Sequence, residues 1–117
     1  MEVIFNVSGN VLVAELLGEL DHHAAAQVRE DIDRAMDNFS IKYLVFDFGK
    51  VRYMDSSGIG MVLGRYRRMN EKEGRIAIVS CSSVIRNILN MAGIFSLIDY
   101  MDTKQEAITY FSRKDAS

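Results

Sequence analysis

The chain has 117 residues, a formal net charge of -2, 49% hydrophobic and 26% charged residues, a balance that fits one folded domain over residues 1–117 and excludes a disordered chain. The slightly acidic charge gives no global support for a nucleic-acid partner. The apolar run Val11 to Leu17 is broken by Ala14 and Glu15 and falls far short of the ~20 residues that span a bilayer. The single Cys81 has no partner for an internal disulfide.

Met1-Glu2-Val3 shows no basic flank before an apolar stretch, so no secretory signal is expected, and the absence of disulfides points to the cytoplasm. Val3, Phe5 and Val7 alternate along a first strand. Ser8-Gly9-Asn10 supplies turn chemistry, and Val11, Val13, Glu15 and Leu17 resume the alternation, which predicts a β-hairpin. Asp21 is a candidate N-cap for a helix over about His22 to Asn38, with Ala25, Val28, Ile32, Ala35 and Phe39 on its apolar face. Tyr43 to Phe48, bounded by Gly49, reads as a buried strand. From Ser57 to about Lys72, Ile59, Val62, Leu63, Tyr66 and Met69 trace another helical face, ended by Gly74 as a left-handed residue.

Ile76 to Ser80 is the next strand, and Ser82 or Ser83 caps a short helix stopped by Gly93. Leu97 to Met101 is a last strand, and Thr103 with Glu106 forms a capping-box pattern for a last helix. The order β-β-α-β-α-β-α-β-α predicts an α/β fold with a mixed, mostly parallel sheet, the N-terminal hairpin adding the antiparallel edge. In such a sheet every strand-to-helix loop emerges at the carboxyl ends of the strands, so Asp21, Ser56 and Ser82 are expected on one rim.

Enzyme templates fail around Asp55-Ser56-Ser57-Gly58-Ile59-Gly60. Met54 stands where a nucleophile elbow needs its first glycine, and no histidine follows to activate a serine. His22 and His23 precede it, are adjacent at a helix start and point to different faces, which disfavours a shared metal. Gly49-Lys50 lacks the rest of a phosphate loop. Arg65, Arg67 and Arg68 read as a solvated helix face, with a contact patch for an acidic partner as the alternative. Asp55, Ser56 or Ser57 accounts for a helix cap, but Gly58 and Gly60 each cost roughly 1 kcal/mol inside a helix. Such glycines call for close backbone approach. A hydroxyl at an exposed helix N-terminus also suits a phosphoryl group, drawn by free N–H groups and the dipole.

The segments Gly18-Glu19-Leu20-Asp21-His22-His23 and Met54-Asp55-Ser56-Ser57-Gly58-Ile59-Gly60, followed by Leu63-Gly64-Arg65-Tyr66, resemble the anti-sigma factor antagonists of the STAS family. Met91-Ala92-Gly93-Ile94-Phe95 is similar to a turn of that family, with Ala92 replacing a serine. The resemblance implies a partner switch. The unphosphorylated chain binds an anti-sigma factor that is also a serine kinase and releases a sigma factor. The kinase then phosphorylates Ser56, binding is lost, and a serine phosphatase restores it. It further implies that Asp21 lies beside the phosphoacceptor and that Asp21, Asp55, Ser57, Gly58, Ile59 and Gly60 form the phosphoacceptor loop and partner contact. Asp21-His22-His23 favours sporulation over the stress-response antagonists that share the fold. The resemblance implies neither catalysis nor a cofactor nor a membrane partner, and a monomeric free form. The alternatives are a nucleotide-binding or weakly nucleotide-hydrolysing protein using Gly58 and Gly60, and a passive scaffold subunit.

Overall fold

A computed structural model describes residues 1–116. Strands β1 (Glu2–Ser8) and β2 (Val11–Leu20) form the expected hairpin, with Ser8 opposite Val11. Gly9 takes φ +60°, the positive first loop position of a type II′ turn. The Asn10 carbonyl accepts the N–H groups of Lys42 and Tyr43 at 2.8 and 3.1 Å, which fastens this turn to the start of β3 (Tyr43–Met54). The remaining elements are α1 (His22–Asn38), α2 (Ser56–Glu71), β4 (Arg75–Val79), α3 (Ser83–Met91), β5 (Asp99–Met101) and α4 (Lys104–Ala116), in the predicted order. The sheet runs β1-β2-β3-β4-β5, antiparallel at the first pair and parallel at the others.

Both faces of the sheet are covered, so its central strands are apolar on both sides. Leu12, Ala14 and Leu16 of β2, Leu44, Phe46 and Phe48 of β3, and Ile76 and Ile78 of β4 pack with buried residues of α1, α2 and α3. The alternate positions Val11, Val13, Tyr43, Val45, Ala77 and Val79 pack under Ala107 and Phe111 of α4. Phe111 stacks on Tyr43 with ring centroids 4.5 Å apart.

The structure differs from the sequence expectations at several places. β3 does not stop at Gly49 but continues to Met54, paired with β2 alone after β4 ends at Val79 opposite Asp47. Two bulges, between Glu15 and Leu17 and between Gly18 and Glu19, absorb extra residues of β3. Each bulge resets which face the side chains point to, so Lys50 to Met54 lack the alternation that marks a strand. A single 3-10 turn, Ile94–Ser96, follows α3 and leaves β5 with three residues. Phe39 lies beyond the last turn of α1 in extended backbone and is 52% exposed, while Met36 takes its place in the core.

The end of α2 is also built differently. Glu73, not Gly74, is the left-handed residue, at φ 60°. The N–H of Gly74 donates to Met69 O and that of Glu73 to Asn70 O, a Schellman pairing. Gly74 is small for another reason, since a Cβ there would lie 2.5 Å from the carbonyl oxygen of Lys42.

The arginine cluster is not a solvated face. Arg65 is buried, with Nε 3.1 Å from Asp33 Oδ1, and Arg68 Nη1 lies 2.8 Å from the same oxygen while Nη2 contacts Asp37. These pairs join α2 to α1, and of the three arginines only Arg67 is exposed. The long aliphatic stem of Arg65 fills the helix interface and its charge finds a counterion there.

Left-handed backbone costs a residue with a Cβ roughly 1–2 kcal/mol, part of which glycine gives back through its freer unfolded chain. Glu73→Gly is therefore expected to stabilise the fold by about 0.5–1 kcal/mol. The check is urea unfolding, in which the midpoint rises and the slope stays unchanged.

Candidate functional site

The site grows from two strands that end level with each other. β2 and β3 pair in parallel up to Leu20 opposite Met54, and the Asp55 N–H donates to the Leu20 carbonyl at 3.4 Å. The next residue in each strand is an aspartate in extended backbone, Asp21 at φ -92° and Asp55 at φ -111°. Asp21 Oδ1 accepts the Ala24 N–H at 3.0 Å; Asp55 Oδ1 accepts Ser57 N–H at 2.9 Å and Gly58 N–H at 3.4 Å. The same cap thus launches α1 and α2 side by side. The Ala24 bond, opposed by desolvation and aided by nearby His23, holds the Asp21 carboxyl below its ordinary value of 3.8.

This juxtaposition sets the two serines apart. Ser57 is half-buried and its Oγ lies 3.3 Å from Nδ1 of His22, the first residue of α1. Ser56 is exposed, and its hydroxyl has no hydrogen bond among the described residues. His22, read from the sequence as a solvated side chain, therefore belongs to the site. The available signal was the repeated pattern of a strand end, an aspartate and a polar first helical residue at Asp21-His22 and Asp55-Ser56.

The other candidates take different places. Gly58 is buried because α2 crosses the strand ends there: a Cβ would meet Met54 Cγ at 2.8 Å and Leu20 Cγ at 2.9 Å. The close approach expected at Gly58 is thus made by the core of the protein itself. Gly60 is exposed, with nothing within 4 Å of a Cβ built on it. Ile59 is half-buried against the core. Ser82 caps α3 through Ile85 N–H at 3.3 Å. It follows β4, which ends opposite Asp47, and β3 runs on from Phe48 to Met54 before reaching the serines. Only Asp21 and Ser56 therefore share the upper rim, with Ser82 on a lower ledge.

An open groove of about 410 Å³ runs from Ser57 between α1 and α2, lined by His22, Ala25, Ala26, Arg29 and Gly60 among others. The contact between His22 and Ser57 does not make a hydrolase site. The N–H groups of Ser57 and Gly58, which would form an oxyanion hole, are taken by Asp55. The same bonds take two of the first-turn amides, those of Ser57 and Gly58, that were expected to be free for a phosphoryl group. Among the described residues no cluster of three or more metal-ligating side chains occurs. Burial pushes the Cys81 thiol up to about 12, which leaves it protonated and unreactive.

A family model described as the STAS domain matches residues 2–107. A protein of Paenibacillus polymyxa named anti-sigma F factor antagonist is 35% identical over 99 residues, which cover 85% of each chain. Among solved structures, the anti-sigma factor antagonist SpoIIAA in its unphosphorylated form superposes with a TM-score of 0.76 at 31% identity, covering 96% of this chain and 98% of that one. The Bacillus cell fate determinant SpoIIAA in the phosphorylated form gives 0.75 at 32% identity, with 94% and 99% covered.

The two glycines should respond oppositely to alanine. Gly58→Ala forces Met54 and Leu20 aside and is expected to destabilise by about 1–3 kcal/mol, whereas Gly60→Ala is expected to stabilise by up to about 1 kcal/mol through helix propensity, both read from urea unfolding. The depressed carboxyl of Asp21 contributes stability above its ordinary 3.8, and that stability is lost as pH falls through the lower folded value. Asp21→Asn should flatten this acid limb of thermal stability measured against pH.

Proposed function

The chain belongs to the STAS domain family, and on that premise we propose that it is an anti-sigma factor antagonist whose binding is switched by phosphorylation of Ser56. Its unphosphorylated form docks the rim around Asp21, Asp55 and Ser56 on an anti-sigma factor that is also a serine kinase, and frees a sporulation sigma factor in the cytoplasm. The kinase transfers the γ-phosphoryl group of ATP to Ser56 Oγ. An O–P bond forms, the bond to ADP breaks, and the hydroxyl proton leaves to the kinase. A serine phosphatase returns the chain to its binding form by hydrolysis.

The observation that carries this reading is the Ser56 hydroxyl, exposed and without a hydrogen bond among the described residues, on the first turn of α2 and beside two carboxylate caps. A phosphate adds about -1.5 to -2 charges. Because Asp55 holds the Ser57 and Gly58 N–H groups, the new oxygens gain little from their own helix and remain hydrated beside carboxylates. The change is therefore a change of surface charge on an intact fold. A partner must strip water from that charge or meet it with its own, and an apolar or acidic contact surface rejects it.

The geometry gives no support to the nucleotide alternative. A bound phosphate needs free backbone N–H groups or a cation, and at this helix start the Ser57 and Gly58 amides are occupied and carboxylates stand beside them.

Calorimetry with an anti-sigma F factor serine kinase tests the reading. Ser56→Ala should bind like the unmodified chain and resist inactivation by ATP, while Ser56→Asp should bind at least roughly 30-fold more weakly, about 2 kcal/mol. Undiminished binding by Ser56→Asp would show that charge at Ser56 is not the switch. Magnesium-ATP titrated into the chain alone should give no binding heat.

A further inference from the structure

We propose that His22 biases the choice of phosphoacceptor: by engaging the hydroxyl of Ser57 it slows reaction at that serine and favours Ser56. The inference rests on the phosphorylation of this loop proposed above and adds a residue that biases its position.

Two serines stand next to each other on the first turn of α2, so chemistry alone does not distinguish them. Consecutive helical residues project about 100° apart around the axis. Ser57 turns toward α1, where Nδ1 of His22 lies 3.3 Å from its Oγ, and its N–H is bound to Asp55 at 2.9 Å. Ser56 turns to solvent and holds neither contact. A phosphoryl acceptor must present its oxygen in line with phosphorus and give up its proton. Ser56 does so without rearrangement, whereas Ser57 must first break its contact with His22. A net hydrogen bond of about 0.5–1.5 kcal/mol corresponds to a roughly two- to tenfold slower reaction at Ser57. His22 reaches this place only because its helix starts level with α2. It is itself exposed, with one edge against His23 at a centroid distance of 5.8 Å, so replacing it removes the contact without opening the core.

The experiment follows phosphate by peptide mass spectrometry after incubating the full chain with an anti-sigma F factor serine kinase and magnesium-ATP. The kinase is first shown to be active on another antagonist. The unmodified chain should carry phosphate mainly on Ser56, with Ser57 roughly two- to tenfold behind. In the Ser56→Ala background, His22→Ala should speed phosphorylation of Ser57 roughly two- to tenfold over Ser56→Ala itself. His22→Asn, which places an amide where Nδ1 stood, should slow it again, a rescue that mere loosening of the helix would not show. Thermal melts confirm that each variant is folded. If the unmodified chain takes phosphate on Ser56 but Ser57 reacts no faster after His22→Ala, the role of His22 is overturned and the switch at Ser56 stands. If the unmodified chain takes no phosphate, both fall together.

Discussion

The parallel pairing of β2 with β3, carried to the last residue of each, is the constraint on which the site depends. Because Leu20 lies opposite Met54, the aspartates that follow are neighbours although 34 residues separate them. Helices start where strands end, so Asp21-His22 and Asp55-Ser56-Ser57 meet on one rim. The pairing reaches that far only because two bulges let β3 carry more residues than β2 over the same length. Gly58 completes the arrangement by letting α2 cross directly over Leu20 and Met54.

A helix N-terminus ordinarily offers unpaired N–H groups and a positive dipole end to any anion. Here Asp55 fills that role and leaves an exposed hydroxyl beside carboxylates. An added phosphate then has no internal partner to pull on, and its effect falls on whatever approaches the rim. The pairing of Arg65 with Asp33 and the adjoining contacts of Arg68 tie α1 to α2 further along the two helices.

Several residues that looked functional in the sequence hold structure instead. Arg65 and Arg68 tie two helices, Gly58 makes room for the core, and Gly74 makes room for the Lys42 carbonyl. His22 moved the other way, from a solvated side chain to a contact of the candidate site. Residue type told what each group could do. Its neighbours, brought from distant parts of the chain, determined which of those possibilities was realised.

By itself the sequence determined the order of elements, the hairpin turn at Gly9-Asn10, the caps at Asp21 and Thr103 and a cap at Ser82 or Ser83, and the apolar strands buried on both faces. These are local properties, set by propensity, capping and side-chain period within a few residues. Tertiary structure alone decided the full length of β3, the left-handed Glu73, the ion pairs of Arg65 and Arg68, and the contact between His22 and Ser57. Each depends on strand register or helix packing between segments far apart in the chain. The serine motif of the candidate site was legible as a pattern, but the difference between its two serines was not, because it comes from an imidazole 35 residues away that only the register of β2 on β3 brings within reach.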